Sequence, residues 1–282
     1  MIQVSSLSFT YAGQTGPAIH DLEFAISPGE IFGFLGPSGA GKTTTQKILF
    51  KLLAGYSGSA LIDGREVRDW DIDLYHRIGV SFELPNHYLK LTALENLNFF
   101  GAFYQQHYRN AVDLLAMVGL ENAANQKVGA FSKGMKMRLN FIRALQHNPE
   151  ILFLDEPTSG MDPANAHLIK DLIRQLQGEG KTIFITTHQM HDAQELCDRV
   201  AFLVDGRIRA LDTPKSLQLA YSSRTVEVQF RDSDGVKTYA LDGLGTNPEF
   251  LNDLHGREVV TIHSREASLD AVFMEVTGKS LV

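Results

Sequence analysis

"EIFGFLGPSGAGKTT" (Glu30–Thr44) holds the key to this chain of 282 residues. A short apolar run, "EIFGFLG", reads as a buried strand, and a glycine-rich turn leads from it into a helical pattern at about Lys42 to Leu53. The turn, Gly36, Pro37, Ser38, Gly39, Ala40, Gly41, Lys42, Thr43, fits G-x-x-x-x-G-K-[ST], with Thr44 extending it. Glycines let successive backbone N–H groups face a phosphate without a Cβ in the way, and the following helix adds its positive end. Lys42 then suits the β- and γ-phosphates, and the Thr43 hydroxyl suits Mg²⁺. A glycine turn without a ligand is the bland alternative; the strand before it and the helix after it speak against that reading.

Outward from this loop, β-rich runs alternate with helical ones, which predicts an α/β fold around a mostly parallel sheet. "EILFLDEP" and "KTIFITTH" read as further buried strands. Between them Asp162 offers an N-cap and Pro163 a first-turn residue, with Leu168, Ile169, Leu172, Ile173 and Leu176 on one helical face. Thr92 and Glu95 have capping-box spacing at the head of a helical region that runs to about Leu145. Asp205-Gly206 is a two-residue hairpin turn. Near Tyr221 the pattern changes to an alternating strand, a "DSDG" turn, two more strands around a short helix, and a last helix from Ser268 to Gly278. The expected division is a domain over 1–220, with a helical subdomain at about 84–145, and an α+β appendage over 221–282.

Composition limits the class. Thirty-three acidic against 26 basic residues leave a net charge of −7, which disfavours a nucleic-acid partner. The lone Cys197 gives no disulfide framework and fits a reducing compartment. "MIQVSSLSFTYAG" lacks a basic stretch followed by an apolar run, so no signal peptide is expected, and no apolar run approaches the roughly 20 residues of a membrane span.

Three further features bear on chemistry. Asp155 and Glu156 leave the apolar strand "ILFLDEP" side by side, where an open α/β sheet binds ligands. Buried adjacent carboxylates are costly unless used: Asp155 suits Mg²⁺ through water, and Glu156 suits an attacking water. A capping acid is the alternative for either one alone. His188 ends the strand "KTIFITT", and in isolation it reads as a structural histidine. "FSKGMKMRLNFIRAL" (Phe131–Leu145) is an amphipathic helix that opens on Ser132 and Gly134, a start fit to meet an anion, although the phosphate loop lies far upstream.

In order and spacing, these pieces resemble an ATP-binding cassette (ABC) ATPase over about Met1 to Leu211. The resemblance implies a P-loop core, an N-terminal antiparallel β-subdomain, a helical subdomain and hydrolysis of ATP with Mg²⁺. Tyr11 takes the place of the aromatic that stacks on adenine; a plain strand-end aromatic is the bland alternative. "GPSGAGKTT" matches the Walker A loop, "ILFLDEP" the Walker B strand with its catalytic Glu156, "SGMD" the D-loop ending at Asp162, and His188 the switch histidine. Catalysis then falls to Glu156, His188 and Lys42. "FSKGM" stands at the signature, which in the family closes on nucleotide bound by a second cassette in a head-to-tail pair. Ser132 and Gly134 match that motif; Phe131, Lys133 and Met135 depart from it. Lys133 adds a positive charge near the expected triphosphate. Glu83 stands at the Q-loop glutamine and remains a hard oxygen donor for Mg²⁺. Glu83 to about Ala130 faces the partner in the family.

The tail "ASLDAVFMEVTGKSL" looks like that of drug-exporter-type cassettes. The resemblance therefore implies a dimeric ATPase, peripheral at the cytoplasmic face of the membrane, that energises a separate integral-membrane subunit. A cytosolic ABC ATPase acting on ribosomes or nucleic acid is the rival. A single cassette, no sustained heptads and the acidic balance disfavour it. A phosphotransferase using the Walker loop alone is a second rival.

Overall fold

The computed structural model describes residues 1–104, 109–233 and 235–278. The "DSDG" turn contains Asp234, which lies outside them. The described chain divides into two compact units, Met1–Thr213 and a smaller one from Pro214 onward.

The first unit begins with strands β1 (Ile2–Phe9), β2 (Ile19–Ile26) and β3 (Ile31–Leu35), then helix α1 (Lys42–Leu49). It continues through β4 (Ser57–Ile62), β5 (Arg65–Glu66), α2 (Leu74–Arg77), β6 (Ile78–Ser81), α3 (Ala93–Gly101), α4 (Ala111–Met117) and α5 (Lys133–Arg143). It closes with β7 (Ile151–Asp155), α6 (Pro163–Gly178), β8 (Thr182–Thr187), α7 (Met190–Leu196), β9 (Arg199–Val204) and β10 (Arg207–Asp212).

Strands β2, β1, β4 and β5 form an antiparallel sheet, the expected N-terminal subdomain. The central sheet runs β10-β9-β3-β8-β7-β6, and only the β9–β10 pair in it is antiparallel. Every residue of β3, β7 and β8 is buried, as parallel strands covered on both faces require. Between the two sheets lies a phenylalanine cluster: Phe24 stacks on Phe32 with centroids 5.5 Å apart, and Phe34, Phe153 and Phe184 surround them. Loss of one such ring costs about 3–5 kcal/mol.

Helix boundaries follow their caps. Thr92 and Glu95 form a full capping box before α3. Asp162 caps α6 through Asn165 N at 3.0 Å, with Pro163 in the first turn. Helix α1 stops at Leu49 rather than near Leu53. Lys51 turns left-handed there at φ +59° and its ammonium bonds the Trp70 carbonyl. No glycine or asparagine announces that stop, and the apolar Leu52 and Leu53 extend the pattern beyond it. Cys197 lies just beyond α7, buried with its Sγ against Gly33.

Among the described residues, two hairpins turn on Asp-Gly. Asp205 (φ +51°) and Gly206 (φ +71°) join β9 to β10, while Asp63 (φ +50°) and Gly64 (φ +76°) join β4 to β5. The first is anchored on other elements: Gly206 N donates to Ala40 O at 3.0 Å, and His20 N donates to Gly206 O at 2.7 Å.

The second unit contains α8 (Pro214–Tyr221), β11 (Thr225–Phe230), β12 (Val236–Ala240), α9 (Pro248–Gly256), β13 (Val259–Ser264) and α10 (Leu269–Thr277). The division falls at Pro214 rather than Tyr221, because α8 packs with α10, and Gln218 Nε2 donates to Ala267 O at 3.0 Å. Its antiparallel sheet, ordered β12-β11-β13, buries Val226, Val228 and Phe230 against Tyr239 and Phe250. Ser268 caps α10, and Gly278 ends it at φ +64°.

Candidate functional site: a phosphate-loop cleft between two sheets

The loop after β3, the end of β7 and the end of β8 converge on one cleft of ≈ 480 Å³. Its walls include Tyr11, Ser38 to Thr44, Glu83, Asp155, Glu156 and His188, so nearly all the residues expected to act on nucleotide share one cavity. Parallel strands bring them there, since their carboxyl ends all open on the same edge of the sheet.

Loop geometry explains its residue types. Gly39 and Gly41 adopt φ +80° and +109°, conformations that a Cβ penalises. At Gly36 a Cβ would strike the Leu203 carbonyl. Lys42 Nζ is buried and donates to Gly36 O at 2.6 Å and Pro37 O at 3.1 Å. Burial pulls its ammonium below its ordinary range, while Glu156, Asp155 and Glu83 act in the opposite direction. Tyr11 OH pairs with Thr44 Oγ1 at 3.0 Å, and its exposed ring stands edge-on to Phe9.

The two acids at the end of β7 are buried and bonded. Asp155 accepts from the Thr186 hydroxyl. Burial pushes the Asp155 carboxyl up; Thr186 opposes that rise, Glu156 and Glu83 add to it, and Lys42 opposes it. Glu156 sits at φ +48°, a left-handed backbone unusual for a residue with a Cβ. Its Oε1 accepts from His188 N at 3.0 Å and lies 2.7 Å from His188 Nδ1, while its Oε2 accepts from Thr187 at 3.1 Å. The acids and the histidine are the expected residues; Thr186 and Thr187, which hold the acids, are not among those the motifs mark. Their signal is a pair of adjacent hydroxyls that follows the apolar run Ile183-Phe184-Ile185 in "KTIFITTH".

Three carboxylates thus face one buried ammonium, with the Thr43 hydroxyl in the same cleft. This surplus of hard, negative oxygen donors fits a divalent cation.

The start of α5 lies apart from this cleft lining. Ser132 caps the helix, accepting from Met135 N at 3.2 Å, which leaves its own O–H to donate outward. Ser132 and Lys133 are exposed, and a Cβ on Gly134 would meet nothing within 4 Å. Packing within the chain therefore does not require that glycine, although glycine costs a helix about 1 kcal/mol relative to alanine. Lys133 does not extend freely outward: a Cβ on Gly160 would stand 2.6 Å from its Nζ, so its side chain lies over its own chain's "SGMD" turn.

The "ABC transporter" family model matches residues 19–159, and a "Fluoroquinolone efflux ABC transporter C-terminal domain" model matches residues 224–266. A fluoroquinolones export ATP-binding protein of Mycobacterium tuberculosis is 55% identical over 284 residues, covering 100% of this chain and 94% of that protein. A Nod factor export ATP-binding protein I of Burkholderia lata is 36% identical, covering 93% of each. Among solved structures, a dimeric ATP-binding cassette in a post-hydrolysis state, bound to ADP and Pi, superposes with a TM-score of 0.69 at 30% identity, over 76% of this chain and 98% of that one. Among the described residues, no helix is long and apolar enough to cross a membrane. The chain belongs to the ABC transporter family, as an ATP-hydrolysing nucleotide-binding subunit of its exporter-type branch.

Proposed function

We propose that two copies of this chain pair head to tail, so that Ser132, Lys133, Gly134 and Met135 of one close on ATP held by the phosphate loop of the other. The convergence of Lys42, Asp155, Glu156 and His188 on one cleft carries the chemical part of this reading. The outward hydroxyl of Ser132 and the clear approach at Gly134 support the trans part.

Within the cleft, Tyr11 takes the adenine, and the N–H groups of Gly39 to Thr44 take the phosphates. Lys42 exchanges its loop carbonyls for β- and γ-phosphate oxygens. Thr43, Asp155 and Glu83 are the residues that would hold Mg²⁺, which when bound would supply positive charge against the phosphates. Glu156 orients water for attack on the γ-phosphorus, the bond to the β–γ bridging oxygen breaks, and the proton passes toward Glu156. His188 and Lys42 stabilise the charge that grows on the γ-phosphoryl oxygens. Asp162 ends the D-loop and orders the start of α6 beside the partner cassette.

The membrane partner docks beside Glu83. There an apolar groove of ≈ 410 Å³ is lined by Phe50, Tyr75, Phe82, Phe100, Phe103 and Tyr104. Helix α5 grips the same segment: Asn140 Nδ2 donates to Phe82 O at 2.8 Å, and Arg143 Nη1 to Asn86 O at 2.6 Å. Movement of the docked partner is thereby tied to the helix that carries Ser132. Attachment at the cytoplasmic face of the membrane runs through that partner. The 55% relative and the matched C-terminal model favour fluoroquinolone-like compounds as the exported class.

Mixing two impaired variants tests the trans arrangement. A Glu156→Gln chain and a Ser132→Ala chain each hydrolyse ATP at a small fraction of the wild-type rate as homodimers, yet their heterodimer keeps one intact composite site. Random mixing should restore about one quarter of wild-type phosphate release. No restoration, with heterodimers shown to form, rejects the trans assignment.

A further inference from the structure

The acids at the end of β7 are held by consecutive residues of the neighbouring strand. Strands β7 and β8 run parallel, with Asp155 opposite Thr186. Successive side chains of a strand point to opposite faces, so two adjacent hydroxyls reach two different partners. Thr186 donates to Asp155 Oδ1, and Thr187 donates to Glu156 Oε2 at 3.1 Å. Thr187 is itself fixed, 2% exposed and accepting from Gln189 N at 3.0 Å.

These bonds matter because a carboxylate's last torsion is broad and barely self-restrained. His188 reaches only Oε1 of Glu156, and the side chain of His188 is 52% exposed. It must also leave Oε1 free enough for water to approach. Thr187 holds the other oxygen from inside a fully buried strand, and so sets the plane of the carboxylate whatever His188 does.

We propose that Thr187 is a positioning residue for Glu156, and Thr186 the corresponding one for Asp155, so that β8 orients the water-directing acid and the metal-side acid independently. The proposal rests on the roles given to those two acids above.

Valine keeps the branched shape and strand preference of threonine while deleting the donor. In the full-length chain, Thr187→Val should lower kcat about 10- to 100-fold while KM for ATP stays within about twofold. Thr187→Ser should bring kcat back to within a few-fold, since it restores the donor without the methyl. Thr186→Val should weaken Mn²⁺ binding to the ADP-loaded chain about 10-fold, read by the electron paramagnetic resonance of free Mn²⁺, and Thr187→Val should leave that affinity unchanged. Should valine at 187 prevent folding, Thr187→Ala against Thr187→Ser makes the same comparison.

Wild-type kcat in Thr187→Val overturns the proposal, as does equal damage from serine and valine, which would make the methyl the working part. Joint loss of ATP affinity assigns Thr187 to fold maintenance and also overturns it, and unchanged Mn²⁺ affinity in Thr186→Val removes the second half. Persistent turnover in Glu156→Gln is a different failure: it removes the role of the acid and leaves the threonines with nothing to position.

Discussion

Two regions of the first unit handle anions in opposite ways. Around Lys42, the chain satisfies itself: the ammonium, both acids of β7 and the ring of His188 are all bonded to groups of the same chain. At the start of α5, Ser132 and Lys133 are exposed and the face at Gly134 is clear. A buried, internally bonded site is preformed and rigid. An exposed helix start costs little alone and gains a low-dielectric setting only when another surface covers it. The first region is thus closed on itself, and the second is open to solvent.

The largest effect should come from the buried side. Glu156→Gln keeps the shape but replaces one accepting oxygen by an NH2 donor and loses the base, so turnover should fall about 10³-fold while ATP binding persists. Size-exclusion chromatography with ATP should then show a stable dimer; unchanged phosphate release would shift the key role to another carboxylate. On the open side, Ser132→Ala should reduce hydrolysis about 10- to 100-fold with monomer ATP affinity intact. The same change removes an N-cap, about 1 kcal/mol, so thermal unfolding reports a small loss of stability beside the large loss of rate. If ATP affinity of the monomer fell instead, the contrast between the regions would collapse.

Glu83 lies at the edge of the cleft, and its substitution is milder. Glu83→Gln removes one of three negative charges around Lys42 and should raise the Mg²⁺ concentration for half-maximal hydrolysis a few-fold. An unchanged Mg²⁺ requirement would take Glu83 out of the metal set.

A further effect, on stability rather than turnover, concerns the joint between the regions. His87 Nε2 lies 2.9 Å from Lys136 O on α5, and His147 Nε2 lies 2.8 Å from Ile78 O. Burial pulls each imidazole down to about 4, with the nearby cations Arg143 and Lys136 adding to the effect at His87, and His76 and Lys181 at His147. The unfolded histidines protonate near pH 6.5, so stability is full above that value. It declines as pH falls toward 4, by at most about 1.4 kcal/mol per pH unit for each histidine. Urea midpoints measured between pH 7 and 4.5 should show the decline, and His87→Asn should make it shallower.

Much of this was readable from residue types. Buried parallel strands appear as unbroken apolar runs, and Asp162-Pro163, Thr92-Glu95 and Asp205-Gly206 punctuate the chain through local chemistry that needs no distant partner. What escaped depends on neighbours that only folding supplies. Thr186 and Thr187 look like ordinary strand residues until β7 lies beside them. The course of Lys133 is set by a glycine 27 positions on, Gly160, whose bare surface receives its stem. The end of α1 was hidden because a lysine takes the left-handed position usually given to glycine.

The two Asp-Gly turns have the same residues and the same backbone, yet they differ in what can be done to them. Exposed hairpin tips are the customary places to splice in a tag or a reporter. At Asp63-Gly64 the aspartate is held, its N–H donating to Met1 O at 2.8 Å and its carboxylate pairing with Arg77 at 2.6 Å. A Cβ on the glycine, however, would meet nothing within 4 Å, so added chain has room on the Gly64 side. At Gly206 it would press on Ala18 and Ile19, and the turn's own amide is spent on Ala40 of the phosphate loop. An engineer inserting at the second turn would be cutting a rivet that joins the antiparallel sheet to the phosphate loop, and the same dipeptide that invites a fusion at one site forbids it at the other.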